Sequence, residues 1–224
     1  MKNRTGHAAA IAAIGIAAGA AQAGPVTMEF GEVARAEIVT ISVQDEFEGR
    51  VYAGSIIQQV NDAERYTFCI EPEQAAQTGV SNFERVGLGN AFTARADGGA
   101  KARVVAELAD IAGPSIWTST ASKIAAAAFQ VAAWEVISDY DSTLGASSFD
   151  FAGGSFRSWG NSSVITAASD LLSSLTFSRA DATGYDAYLH GDHQDFMSLS
   201  VPTPGAIAVA FAGMPLLAAR RRRS

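Results

Sequence analysis

The chain has 224 residues, 23 acidic against 16 basic side chains, a formal net charge of −7 and 48% hydrophobic residues. The charge is uneven: all the acids lie between Gly24 and Ser200, whereas six of the basic residues lie outside that span, which leaves the middle near −13. A surface that acidic excludes nucleic acid and anionic lipid as partners, because both are held by clustered Lys and Arg.

Residues 1–23 read as a secretory signal peptide. Lys2 and Arg4 make a positive start, Ala8–Ala20 is an apolar stretch short for a membrane span, and Ala21-Gln22-Ala23 is a small-x-small cleavage site. A permanent N-terminal anchor is the alternative. Cleavage leaves Gly24 as the first mature residue, and residues 24–200 suit one domain.

The first third of that domain reads as strand. Glu37–Gln44 alternates apolar and polar residues, Arg50–Val60 carries Val51, Tyr52, Ile56, Ile57 and Val60, and Tyr66–Ile70 is a short aromatic and β-branched run ended by Pro72. Lys101–Ile111 has helical spacing and stops at Gly113-Pro114. A second helix, capped by Ser119 or Thr120, runs to about Asp139. Its broad apolar face holds Ala126, Phe129, Ala133, Trp134, Val136 and Ile137. Gln130 lies within that face, and Glu135 and Asp139 fall opposite. Tyr140–Asn161, rich in Gly, Ser and aromatics, reads as a hairpin or ordered loop. Val164–Leu175 is a third helix capped by Ser162 or Ser163, and Tyr185–Leu189 and Phe196–Val201 are final strands. The fold class expected is α+β: a β-rich body with a helical insertion, flanked by the signal helix and a C-terminal hydrophobic helix.

The tail, 201–224, has its own logic. Val201-Pro202-Thr203-Pro204 leads into an apolar run from Ala206 to Ala219, followed by Arg220, Arg221, Arg222 and Arg223. As helix the run is roughly 21 Å long, short of a hydrocarbon core of about 30 Å. With the arginines held at the cytoplasmic face it reads as a stop-transfer signal.

Cys69 is the single cysteine of a chain that reads as exported, where cysteines usually pair. It is inert and buried, joined to another chain, or masked by other chemistry. It sits in Phe68-Cys69-Ile70-Glu71, and Gln130-Val131-Ala132-Ala133-Trp134 follows in the second helix. A carboxamide facing a core must be hydrogen-bonded or converted to something less polar.

These two runs resemble the thioester domains of bacterial surface adhesins, in which an aromatic-Cys-aliphatic-acidic segment supplies a thiol and a Gln-x-Ala-(apolar)-Trp segment a carboxamide. Phe129 stands where the adhesin pattern has Thr or Ser. The tail is similar to the PEP-CTERM sorting tails of exopolysaccharide-producing Gram-negative bacteria, with Thr203 where the motif name has Glu; a plain C-terminal anchor is the alternative. The paired runs also recur in exported proteins with such tails. The resemblance implies an internal thioester between Cys69 and Gln130, with Phe68, Phe129 and Trp134 shielding it from water. It further implies processing by an exosortase after export through the secretion machinery, and a transient stay in the inner membrane. The mature protein would then reside at the cell surface or in the extracellular matrix, acylating a surface amine or hydroxyl. The alternatives are a non-reactive matrix protein with Cys69 and Gln130 as core residues, and a secreted cysteine hydrolase.

The hydrolase needs a histidine base, and residues 24–200 offer only His190 and His193. His190-Gly191-Asp192-His193-Gln194-Asp195 lacks the spacing of a helical His-x-x-x-His site and reads as a polar turn. Asp139 and Asp141 lack the spacing of a calcium loop, and no phosphate-binding glycine motif is present. No metal, cofactor or enzymatic turnover is expected.

Overall fold

The computed structural model describes residues 23–44, 47–76 and 78–201. The signal segment to residue 22, the motif residues Pro202, Thr203 and Pro204, the apolar tail and Arg220–Arg223 lie outside them. Seven strands and three helices make an α+β unit with a β-rich body. In chain order they are β1 (Gly24–Val43), β2 (Phe47–Val60), β3 (Ala63–Cys69), β4 (Val80–Gly87), α1 (Gly98–Ala112), α2 (Lys123–Asp139), β5 (Phe156–Trp159), α3 (Ser162–Ser173), β6 (Tyr185–Leu189) and β7 (Phe196–Leu199). Among the described residues no helix is long and apolar enough to cross a membrane.

All strand pairings are antiparallel, and six strands pair in a closed cycle, β1–β2–β3–β7–β6–β4 and back to β1. Closure removes the exposed edges that an open sheet must protect. It is possible because β1 is twenty residues long and changes partner along its length. Its first residues pair with β4 on one side and β2 on the other, and Thr40–Val43 pairs with β5. The switch coincides with register shifts at Phe30/Glu32 and Val33/Arg35. Opposite the second shift lies Gly54, with φ of +142°, where an added Cβ would collide with the Arg35 carbonyl. Only glycine allows β2 to follow β1 so closely there.

The helical insertion lies between β4 and β6, interrupted by β5 within the segment read as a hairpin or loop. Helix α2 is its centre. Every residue from Ala126 to Ile137 is buried, and the helix packs against β1, β2, β5, α1 and α3. This corrects the two-faced reading. Glu135 does not face solvent opposite an apolar stripe, because a helix surrounded by other elements has no solvent face. Its alanines keep it narrow enough to fit.

The caps also differ from expectation. The hydroxyls of Thr118 and Thr120 bond one another, and Thr118 also donates to Ser115 O in the preceding 3₁₀ turn, so Ser122 caps α2 by accepting from Ala125 N–H. Asn161 rather than Ser162 caps α3 through Val164 N–H. Two strand stretches escaped the pattern reading, the first half of β1 and all of β4. In β4 only Phe83 is fully buried, so its alternation is weak.

Candidate functional site

Cys69 is the last residue of β3 and pairs with Phe196 of β7. Buried Pro72 follows three residues on and fixes φ where the chain leaves the sheet. Helix α2 crosses this strand end and brings Gln130 and Trp134, one turn apart on one face, onto Cys69.

The contact is specific. Cys69 N–H donates to Gln130 Oε1 at 3.0 Å, and Gln130 Nε2 donates to Cys69 O at 2.7 Å. The carboxamide thus completes both hydrogen bonds that a neighbouring strand would otherwise make. Two donors reach the sulfur: Trp134 Nε1–H and Glu71 N–H, each at 3.4 Å from Cys69 Sγ. Both side chains are buried, Gln130 at 1% exposure and Cys69 at 3%.

The chemistry follows from these donors. Burial pushes the Cys69 thiol far above its usual range. The two donors on sulfur oppose the shift, and the nearby charges of Glu73 and Glu71 add to it. The thiol is therefore neutral at ordinary pH. The backbone N–H on Oε1 polarises the carboxamide and is aimed at the oxygen that gains charge when its carbon is attacked. The donors on Sγ in turn favour a thiolate whenever sulfur is a leaving group.

Beside the pair lies a cavity of about 410 Å³, lined by Cys69, Gln130 and Trp134 and walled by apolar residues of β1 and β2 that include Phe30, Ile41 and Ile56. Phe68 and Phe129 are elsewhere. They pack edge-on at 4.7 Å and both contact Trp117, buried and apart from the cavity. The shielding expected of all three aromatics is divided: Trp134 touches the sulfur, and Phe68 and Phe129 stiffen the strand and helix behind it.

The remaining wall is polar, and the motif reading missed most of it. Gln194, in the turn before β7, donates through Nε2 to Glu71 O and Gln74 O and through N–H to Ala75 O, pinning segment 71–76 across the opening. Arg95 pairs with Glu73 at 3.4 Å and with Glu71 at 3.9 Å. Burial, with Asp195 and Glu73 close by, raises Glu71 to about 7 despite Arg95. Burial also raises Asp195 to about 6, although His190 N–H donates to it. Glu71 and Arg95 do not line the cavity themselves and join its wall through the Arg95–Glu73 pair; the acidic residue in Phe68-Cys69-Ile70-Glu71 was the one sequence signal of this cluster, and Arg95 and Gln194 carry none.

His190 and His193 stack on each other, and His190 lies against Phe83. Neither lines the cavity. Among the described residues no group of His, Cys, Asp and Glu could hold a metal ion. Val201, the one described residue of the tail motif, accepts from Arg85 at 3.5 Å. Comparison of the chain with family models, with curated proteins and with solved structures found no match.

Proposed function

We propose that the chain is an exported cell-surface or extracellular-matrix protein in which Cys69 and Gln130 condense into an internal thioester, used once to tether the protein covalently to an amine or hydroxyl on a neighbouring surface. The observation that supports this reading is the reciprocal hydrogen bonding of the Gln130 carboxamide with the Cys69 backbone, beside a sulfur that two donors address. Proximity of this kind replaces a large part of the barrier to an otherwise slow amide-to-thioester exchange. The apolar cavity suits an ester that must outlast contact with water. The tail resemblance supports exosortase processing and residence beyond the inner membrane. The tether is a single event, so the protein is not an enzyme.

Intact mass and thiol titration of the purified protein test the proposal. The expected result is a chain lighter by one ammonia, unreactive to thiol reagents when denatured, and converted by methylamine to an adduct on Gln130 with one free thiol. Cys69→Ala should abolish the adduct. A full sequence mass with one titratable thiol after denaturation refutes it.

A second reading is favoured by the same hydrogen bonds taken as they stand. Gln130 is already satisfied at both ends, as a structural core glutamine should be. In a non-reactive matrix protein Cys69 and Gln130 serve only to lock β3 to α2, and the mass is that of the sequence.

A further inference from the structure

We propose that Glu73 carries the proton in the Cys69–Gln130 condensation, an inference that rests on the thioester reading above. A neutral thiol attacks a carboxamide only if its proton leaves as the S–C bond forms. The two groups on Sγ cannot take it: an indole N–H and a backbone N–H are donors alone. Neither histidine lines the cavity. Glu73 does, together with Cys69, Gln130 and Trp134. Arg95 Nη1 holds its Oε1 at 3.4 Å, while its Oε2 is buried without a hydrogen-bond partner. Of the two carboxylates near the thiol, Glu73 acts on it more strongly. Glu71 Oε2 is likewise buried without a hydrogen-bond partner, but Glu71 sits among Asp195, Arg95 and Gln74 and does not line the cavity, which leaves Glu73 as the carboxylate that faces the pair.

The step balances without oxidant or reductant. Sγ bonds to the Gln130 carboxamide carbon as its proton passes to Glu73, and the carbonyl π electrons move onto Oε1, whose negative charge the Cys69 N–H stabilises by donating its hydrogen bond. Glu73 then returns the proton to Nε2. The C–N bond breaks, ammonia leaves, and the C=O bond re-forms in the thioester. In the later tether the direction reverses. The incoming amine or hydroxyl gives its proton to Glu73 as it attacks, and Glu73 passes it to the departing Sγ. Arg95 holds one oxygen of the Glu73 carboxylate and leaves the other without a partner.

The test is the rate of ammonia loss after refolding the full chain from urea, followed by intact mass across a range of pH. Wild type should lose one ammonia, with a rate that rises as a carboxyl ionises. Glu73→Gln should fold, slow the loss at least tenfold and lack that limb of the pH profile. Glu73→Asp, which keeps the charge for Arg95 but withdraws the oxygen by one methylene, should fall between the two, and it supplies the test if Glu73→Gln does not fold. A folded Glu73→Gln, or in its place Glu73→Asp, that closes at the wild-type rate overturns the role of Glu73 and leaves the thioester standing. A wild-type chain that never loses ammonia overturns both.

Discussion

Gln130 and Glu135 are five residues apart on α2 and equally buried, yet the fold treats them differently. Gln130 is neutral, and both ends of its carboxamide are paired with Cys69. Glu135 is fully buried with one oxygen accepting from Asp150 N–H and the other unpartnered. Burial, with Asp139 and Asp150 nearby, raises it to about 8. Glu107 of α1 completes the series: Thr176 N–H, Thr176 Oγ1 and Phe177 N–H all reach one of its oxygens, and its carboxyl is held below the usual range despite burial. Burial alone does not decide the state of a polar group. The number of donors that reach it does.

The most damaging way to break the pairing is Gln130→Ala. It leaves the Cys69 N–H without its acceptor and opens a void in the helix–strand interface. A loss of about 2–4 kcal/mol is expected in urea unfolding, together with complete loss of any amine adduct.

Glu135→Gln tests the other side. A carboxyl whose folded pKa lies above its unfolded value stabilises the fold fully below the unfolded pKa, and that stability is lost as pH rises through the folded one. Wild-type stability should therefore fall between about pH 4.5 and 8, by a few kcal/mol at most. Glu71 and Asp195, raised to about 7 and about 6, act in the same direction. Glu135→Gln should flatten much of the fall, measured by urea midpoints at the two ends of the window. An unchanged slope would mean that water reaches Glu135.

A finer probe is Trp134→Phe, which keeps the ring and removes one donor to Cys69 Sγ. Under the thioester reading, opening by methylamine should slow about tenfold, because the leaving thiolate loses one hydrogen bond. Stability should drop by only about 1 kcal/mol. The smallest effect belongs to Ser122→Ala at the start of α2, which should cost about 0.5–1 kcal/mol through the lost cap. It should change neither the Glu135 slope nor the amine chemistry, and so separates general weakening of α2 from loss of a particular partner.

Much of this was readable from residue order. The alternating run Glu37–Gln44 located the second half of β1, apolar, aromatic and β-branched runs located β2, β3, β6 and β7, and helical patterning located the three helices. The closeness of Cys69 and Gln130 came from recognising two short runs, not from periodicity. The helical wheel misjudged Glu135, since one helix's pattern cannot tell whether a neighbour covers its polar side. It placed Gln130 correctly, because the same turn carries Trp134 and both face one strand.

Residue order was enough for the local elements, the acidity of the middle, the solitary cysteine and the two short runs that carry Cys69 and Gln130, since these depend on neighbours within a few residues. The rest came from long-range contacts. Closure of the strands through a long β1, burial of α2 on every side, and the gathering of Glu73 and Gln194 on the cavity beside Cys69, with Arg95 holding Glu73, all depend on contacts between residues far apart in the chain. Position 73 says nothing of a thiol until Pro72 turns the chain beside β3 and Arg95, more than twenty residues away, holds the carboxylate in place.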